Sequence, residues 1–298
     1  MKNAVIVDSV RTGLAKSHRG GFNMTRPDDM LSHIINNLLE RNPNLAPEVV
    51  EDVIMGCGSP EGAQGHNLGR NAAVLSNLPI TVGGTTVNRY CSSGMQTISM
   101  AASQVMAGCY DAVIAGGAET ISMMGAQNMD NFVNNRLAAE YPGIYHPMGI
   151  TAENVAKKYK ISRTEQQEFA IQSHQKANEA EVNGKFKNEI VEIAGCTKDG
   201  NIRPKSNQET LDGLKLAFDQ EGTVTAATSS PLTDGAAATL ICEESYAKEN
   251  GLEILGRIVA TGVKGCEPDV MGLGPIGATK KVLELSLIHI SEPTRPRL

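Results

Sequence analysis

An α/β fold built on a layered sheet is the class this sequence predicts, on two observations. Short apolar runs at residues 4–7, 53–55, 84–90 and 112–115 have strand length and β-branched content. Between them lie two longer stretches, 30–39 and 92–107, whose apolar residues recur at three and four. Strand and helix in alternation, joined by short turns, is the pattern of an α/β sheet.

Each element has its own local signal. Residues 4–7 (AVIV) end at Asp8 and read as a buried strand. In TRPD, Thr25 is the expected N-cap, with Pro27 in the first helical turn. Met30, Leu31, Ile34, Ile35, Leu38 and Leu39 form one apolar face, stopped before Asn42–Pro43. Residues 53–55 read as a strand closed by Gly56–Cys57–Gly58. Strand 84–90 leads into helix 92–107, whose predicted buried stripe is Met95, Ile98, Ala102 and Val105. Strand 112–115 follows, and Gly116–Gly117 is expected to permit close packing at its end. Residues 161–181 read as a helix with Ser162 and Glu165 as a capping pair and Phe169, Ala170, Ser173 and Ala177 on its less polar side. Strand-like pieces return at 224–226, 237–242 and 255–262.

Composition narrows the function. Lys+Arg number 27 against 33 Asp+Glu, so the basic excess typical of a nucleic-acid binder is missing. No uncharged apolar run reaches the ~18 residues that a membrane span needs. Six cysteines, at 57, 91, 109, 196, 242 and 266, are scattered with no CxxC pair, which disfavours a zinc knuckle and suits a reducing compartment. With no signal-peptide pattern at MKNAVIVDS, the expected location is cytoplasmic.

The strongest chemical signal is TTVNRYCSSGMQ. Cys91 sits where a β-branched strand gives way to a helix through small residues. A thiol there meets the positive end of the helix dipole and unpaired N–H groups, which favour the nucleophilic thiolate. An isolated cysteine is ordinarily a small buried hydrophobe; the surrounding pattern argues otherwise. Cys57, Cys109, Cys196, Cys242 and Cys266 are expected to be structural.

The segment 87–96 (VNRYCSSGMQ) resembles the nucleophile signature of the thiolase family. Further matches follow in family order: 5–11 (VIVDSVR), 115–119 (AGGAE), 148–154 (MGITAEN), 161–163 (ISR), 222–226 (GTVTA), 234–237 (DGAA) and 271–275 (MGLGP). The resemblance covers residues 4–284 and is nearest to acetyl-CoA acyltransferases of the 3-ketoacyl-CoA type. It implies a thiolase-type α-β-α-β-α layered fold, with residues 1–125 as the N-terminal half-domain and 126–220 as an inserted α-rich loop subdomain. Residues 221–250 would return to the first half, and 251–284 would begin an incomplete second half. It also implies an acyl-Cys91 intermediate, acyl-CoA and coenzyme A as substrates, no tightly bound cofactor or metal, and a homo-oligomer. Met148 and Ser230 match positions that contact pantetheine. Arg203 reads as a solvated loop residue, and His146, followed by Pro147, departs from the family's His-Met pattern.

The groups that the resemblance assigns to the second half-domain are a GHP histidine, an NEAF asparagine and a CxGxG cysteine, and this sequence contains none of them. Residues 285–298 (LSLIHISEPTRPRL) resemble a translated sequencing-library adapter, a transposon mosaic end joined to an index adapter. The expectation is therefore a fragment with weak activity and exposed apolar surface. The competing readings are a condensing relative such as a ketoacyl synthase and, outside enzymes, a non-catalytic acyl-CoA-binding or scaffold protein.

Overall fold

In the computed structural model, residues 2–125 and 133–286 are described. Residues 287–298, all but the first two of the adapter-like tail 285–298, and the first part of the expected insertion, 126–132, lie outside them. Among the described residues the strands are β1 (Ala4–Thr12), β2 (Ala15–Lys16), β3 (Val50–Gly56), β4 (Gly83–Val87), β5 (Ala112–Glu119), β6 (Ile190–Val191), β7 (Thr233–Glu243) and β8 (Gly256–Arg257). The helices are α1 (Pro27–Arg41), α2 (Leu68–Leu75), α3 (Ser93–Ala107), α4 (Asn135–Glu140), α5 (Met148–Tyr159), α6 (Arg163–Val182), α7 (Gln208–Asp212), α8 (Glu244–Glu249) and α9 (Gly274–Ser286). Among the described residues, no helix is long and apolar enough to cross a membrane.

Two compact units divide the chain. One draws on Met1–Ala126, Ala180–Ile202 and Pro231–Ile258, the other on Gln127–Glu179, Arg203–Ser230 and Val259–Leu298. The first unit holds one mixed sheet in the order β4-β3-β5-β7-β1-β6, with β2 on β7 and β8 on β1. β3 pairs parallel with β4 and β5, whereas β7 runs antiparallel to β5 and β1. Buried residues of α1 and α2 cover one face; Ala101, Ala102 and Val105 of α3 cover the other. The apolar face of α1 predicted from spacing is fully buried from Met30 to Leu38.

The units do not follow the sequence-derived boundaries throughout: residues 251–258 stay with the first unit, where Gly256 and Arg257 pair with β1. Residues 180–202 join the sheet unit because Ile190 and Val191 pair with Arg11 and Thr12. Residues 221–230 belong to the second unit, where the Thr223 and Val224 N–H groups bind the Glu153 carboxylate at 2.7–2.9 Å.

Several local expectations are corrected. Thr25 is not the cap of α1: its N–H turns back to Phe22, and Pro27 starts the helix after Arg26, whose guanidinium pairs with Asp28. Met95 is 76% exposed, and Thr97 and Ala101 take the buried stripe instead. Phe169 is 76% exposed, while Gln167 is the buried residue of α6. The apolar piece at 224–226 forms no strand, because side chains rather than a neighbouring strand satisfy the N–H groups of Val224 and Thr225. At 255–262 only Gly256 and Arg257 pair as a strand. The Ser162–Glu165 cap is present: the Ser162 N–H donates to Glu165 Oε2 at 2.7 Å.

Candidate active site

β4 is a run of Gly, Thr and Val that ends at Val87, and α3 begins six residues later at Ser93. The chain reverses between them in a turn stapled by side chains. Asn88 Oδ1 accepts the Tyr90 N–H at 2.8 Å. Ser93 accepts the Arg89 N–H at 2.8 Å and donates its hydroxyl to the Tyr90 carbonyl at 2.6 Å. The Ser92 and Ser93 N–H groups donate to the Arg89 and Tyr90 carbonyls at 3.2 and 3.0 Å.

Held this way, Tyr90 adopts a left-handed backbone with φ of 46°. For a bulky residue this costs on the order of 1–3 kcal/mol, and such strain persists only where its surroundings impose it. Cys91 is the next residue. It is exposed, one position before the N-cap Ser92 of α3.

The start of α3 rests on bare backbone. A Cβ on Gly56 would lie 2.5 Å from the Ser93 carbonyl carbon, and one on Gly117 would lie 2.5 Å from the Gly56 oxygen. Gly116 serves the neighbouring pair, since its Cβ would meet the Ala237 oxygen at 2.0 Å. Thr97, fully buried, brings its hydroxyl within reach of the Gly94 and Gly116 carbonyls at 2.7 and 2.9 Å. Gly94 itself has nothing within 4 Å of a Cβ, so the tightness of the turn comes from the two serines.

The other thiols differ. Cys57 and Cys242 are buried, and burial pushes both up to about 12, helped at Cys57 by Glu119 and at Cys242 by Asp111. Their folded values lie above the ordinary thiol value of 9.0, so the unfolded chain gives up these protons first. Stability from these two groups is complete below that ordinary value and is lost as pH climbs from it towards the folded value. The denaturant midpoint is expected to fall between about pH 8 and about pH 11, and less steeply in Cys242→Ala. Equal midpoints at the two pH values would contradict this. Cys109 and Cys266 are exposed and Cys196 is half-buried; all six cysteines are free.

Met148 and Ser230 belong to the second unit and Cys91 to the first. Met148 is the first residue of α5 and is 54% exposed. Ser230 is exposed at the end of the segment that starts at Gly222. Glu153, on the same helix as Met148, binds that segment: it accepts the Thr223 and Val224 N–H groups and the Thr223 hydroxyl at 2.7–3.0 Å. Gly222 is required there, because its Cβ would lie 2.2 Å from Glu153 Oε1. Arg203 is exposed, its N–H on His174 Nδ1 at 3.2 Å. His146 lies in the second unit with its Nδ1 buried and unpaired among the described residues. No group of three or more His, Cys, Asp or Glu among the described residues is arranged to hold a metal ion.

Sequence reading missed the left-handed Tyr90, the Ser93 staple and the carboxylates of Glu119 and Glu153. The carboxylates lay inside quoted motifs, AGGAE and MGITAEN, and an acid within a glycine-rich or helical match was the signal available.

The family described as "Thiolase, N-terminal domain" matches residues 4–245. A "3-ketoacyl-CoA thiolase" of Photobacterium profundum is 41% identical over 307 residues, covering 98% of this chain and 78% of that protein. One of the same description from Bacillus subtilis is 40% identical, with 98% and 79% covered. The solved structure described as "Crystal structure of the Bacillus anthracis acetyl-CoA acetyltransferase" superposes with a TM-score of 0.85 at 35% identity, over 96% of this chain and 77% of that one. A strand–turn–helix cysteine in this sheet, with relatives of this identity and coverage, places the chain in the thiolase family of acyltransferases.

Proposed function

We propose that this protein splits 3-ketoacyl-CoA into acetyl-CoA and a shortened acyl-CoA, or runs the reverse condensation, through an acyl thioester on Cys91. The observation that carries the reading is the exposed thiol held at the mouth of α3 by a strained, stapled turn. In the degradative direction the thiolate attacks the 3-keto carbon. The bond between carbons 2 and 3 breaks, and its electron pair leaves as the acetyl-CoA carbanion, which takes a proton. Coenzyme A then attacks the acyl-cysteine, releases the shortened acyl-CoA and returns the thiol. This is covalent catalysis in ping-pong order. The Cys91 N–H at the helix start is one donor for the developing oxyanion.

On this reading Met148 and Ser230 contact the pantetheine arm, coenzyme A is a substrate rather than a resident cofactor, and the protein works in the cytoplasm as a homo-oligomer. With no GHP histidine or CxGxG cysteine in the sequence, complete turnover by these 298 residues is expected to lag behind Cys91 acylation. Acid–base help of that kind is worth ~10²–10⁴-fold.

Isotope exchange tests the proposal without needing full turnover. Labelled coenzyme A incubated with acetyl-CoA and the protein is expected to enter the acetyl-CoA pool through the acyl-enzyme alone. No exchange above a protein-free control would favour a non-catalytic acyl-CoA-binding role. In the same assay Glu153→Gln turns an acceptor of the Gly222–Ser230 segment into a donor. It is expected to raise the coenzyme A concentration for half-maximal exchange about tenfold, with the saturated rate kept. An unchanged half-maximal concentration would separate Glu153 from coenzyme A binding.

A further inference from the structure

The Glu119 carboxylate, in the first unit, has only neutral donors among its hydrogen-bond partners in the described residues. Glu119, the last residue of β5, accepts the Gly58 N–H on Oε2 at 2.7 Å. Its Oε1 accepts the Ser59 N–H at 3.2 Å and Gln64 Nε2 at 2.6 Å, with Cys57 Sγ at 3.7 Å. Gln64 is fully buried and closes the ring: Nε2 also reaches the Ser59 carbonyl at 2.6 Å, and Oε1 accepts the Thr120 N–H at 2.7 Å. The loop held this way is tied to the Cys91 turn at two points. The Cys57 N–H donates to the Val87 carbonyl at 3.0 Å, at the last residue before that turn. Gly58 runs alongside the turn: an added Cβ there would crowd Glu119 Oε2 at 2.9 Å and come into ordinary contact with the Tyr90 carbonyl carbon and oxygen at 3.4 Å.

We propose that Glu119, acting with Gln64 through the 57–64 loop, is a positioning residue for Cys91: it fixes the Cys57–Ser59 backbone alongside the turn, where the Cys57 N–H holds the Val87 carbonyl, and so keeps Tyr90 left-handed. The inference rests on the acyl-transfer reading for its functional meaning, and on the hydrogen-bond ring for its mechanics. An acceptor with several charge-assisted bonds holds backbone more firmly than turn propensity does. A left-handed tyrosine relaxes when its clamp is removed.

Glu119→Gln keeps the shape but turns one acceptor oxygen into a donor, so a donor faces a donor at Gly58 or at Gln64. Two readouts on the full chain decide the matter. Amide hydrogen exchange of the 88–93 peptide is expected to quicken about tenfold. Alkylation of Cys91 by iodoacetamide is expected to slow about tenfold, while the exposed Cys109 and Cys266 label at their unsubstituted rates and the buried Cys57 stays unlabelled. Unchanged exchange in 88–93 would overturn the proposal. Faster exchange with Cys91 labelling unchanged would also overturn it, because the role would then be structural only. Should Glu119→Gln not fold, Gln64→Met removes one donor at similar volume and is read the same way. In the unsubstituted protein, Cys91 labelling no faster than Cys109 would count against the acyl-transfer reading alone, since exchange in 88–93 still reports on Glu119.

Discussion

Cys91→Ala is expected to lower the exchange of labelled coenzyme A into acetyl-CoA by about 10⁴-fold or more, to the background of the protein-free reaction. The magnitude follows from the chemistry: with no sulfur there is no acyl-enzyme, and what remains is binding and oxyanion stabilisation without a covalent step. The substitution should leave folding almost untouched, within about 0.5 kcal/mol, because the side chain is exposed and its loss opens no cavity. The pairing of those two results is the informative part. A mutant that lost activity and stability together would place Cys91 among structural residues. Retention of exchange would mean that another group accepts the acyl chain.

The second large effect concerns the platform under the turn. Gly116→Val is expected to destabilise the protein by about 3 kcal/mol or more, read from the denaturant midpoint at constant slope. A Cβ at this position would lie 2.0 Å from the Ala237 oxygen and 2.8 Å from the Ala238 Cα. Both are backbone atoms of β7, the central partner of β5, and neither can swing aside as a side-chain tip would. Gly94→Ala supplies the contrast. Its Cβ meets nothing within 4 Å, so its stability should change by less than about 1 kcal/mol. Equal losses at the two glycines would show that the packing argument is wrong.

Much of the sheet was legible because its signals are local. The α1 face from Met30 to Leu39 follows from spacing alone, and the strands around 4–7, 53–55 and 112–115 were found, though each runs longer in the structure. The failures share a cause. Periodicity says that a face is apolar, not what lies opposite it. Met95 fits the stripe of α3, yet α3 meets the sheet where Ser93 lies on Gly56 and where the Thr97 hydroxyl reaches the Gly116 carbonyl, and Met95 is left exposed. Val224 has strand composition, but the Glu153 carboxylate takes its N–H before any strand can.

The site divides in the same way. The place of Cys91 between a strand and a helix was legible because the switch from β-branched to small residues marks such a turn. The conformation that presents it was not, because a left-handed Tyr90 depends on Ser93, Gly58 and Glu119, which come from three separate stretches of chain. Glu119 and Gln64 are 55 residues apart, and only the parallel pairing of β3 with β5 brings their neighbourhoods together.

The most direct measurement is acid-quenched peptide mass spectrometry of the protein after brief exposure to acetyl-CoA. A single acetyl group on the peptide that contains Cys91, lost again on adding free coenzyme A, is the predicted result. An acetyl group on any other cysteine, or an unmodified Cys91 at saturating acetyl-CoA, would contradict it.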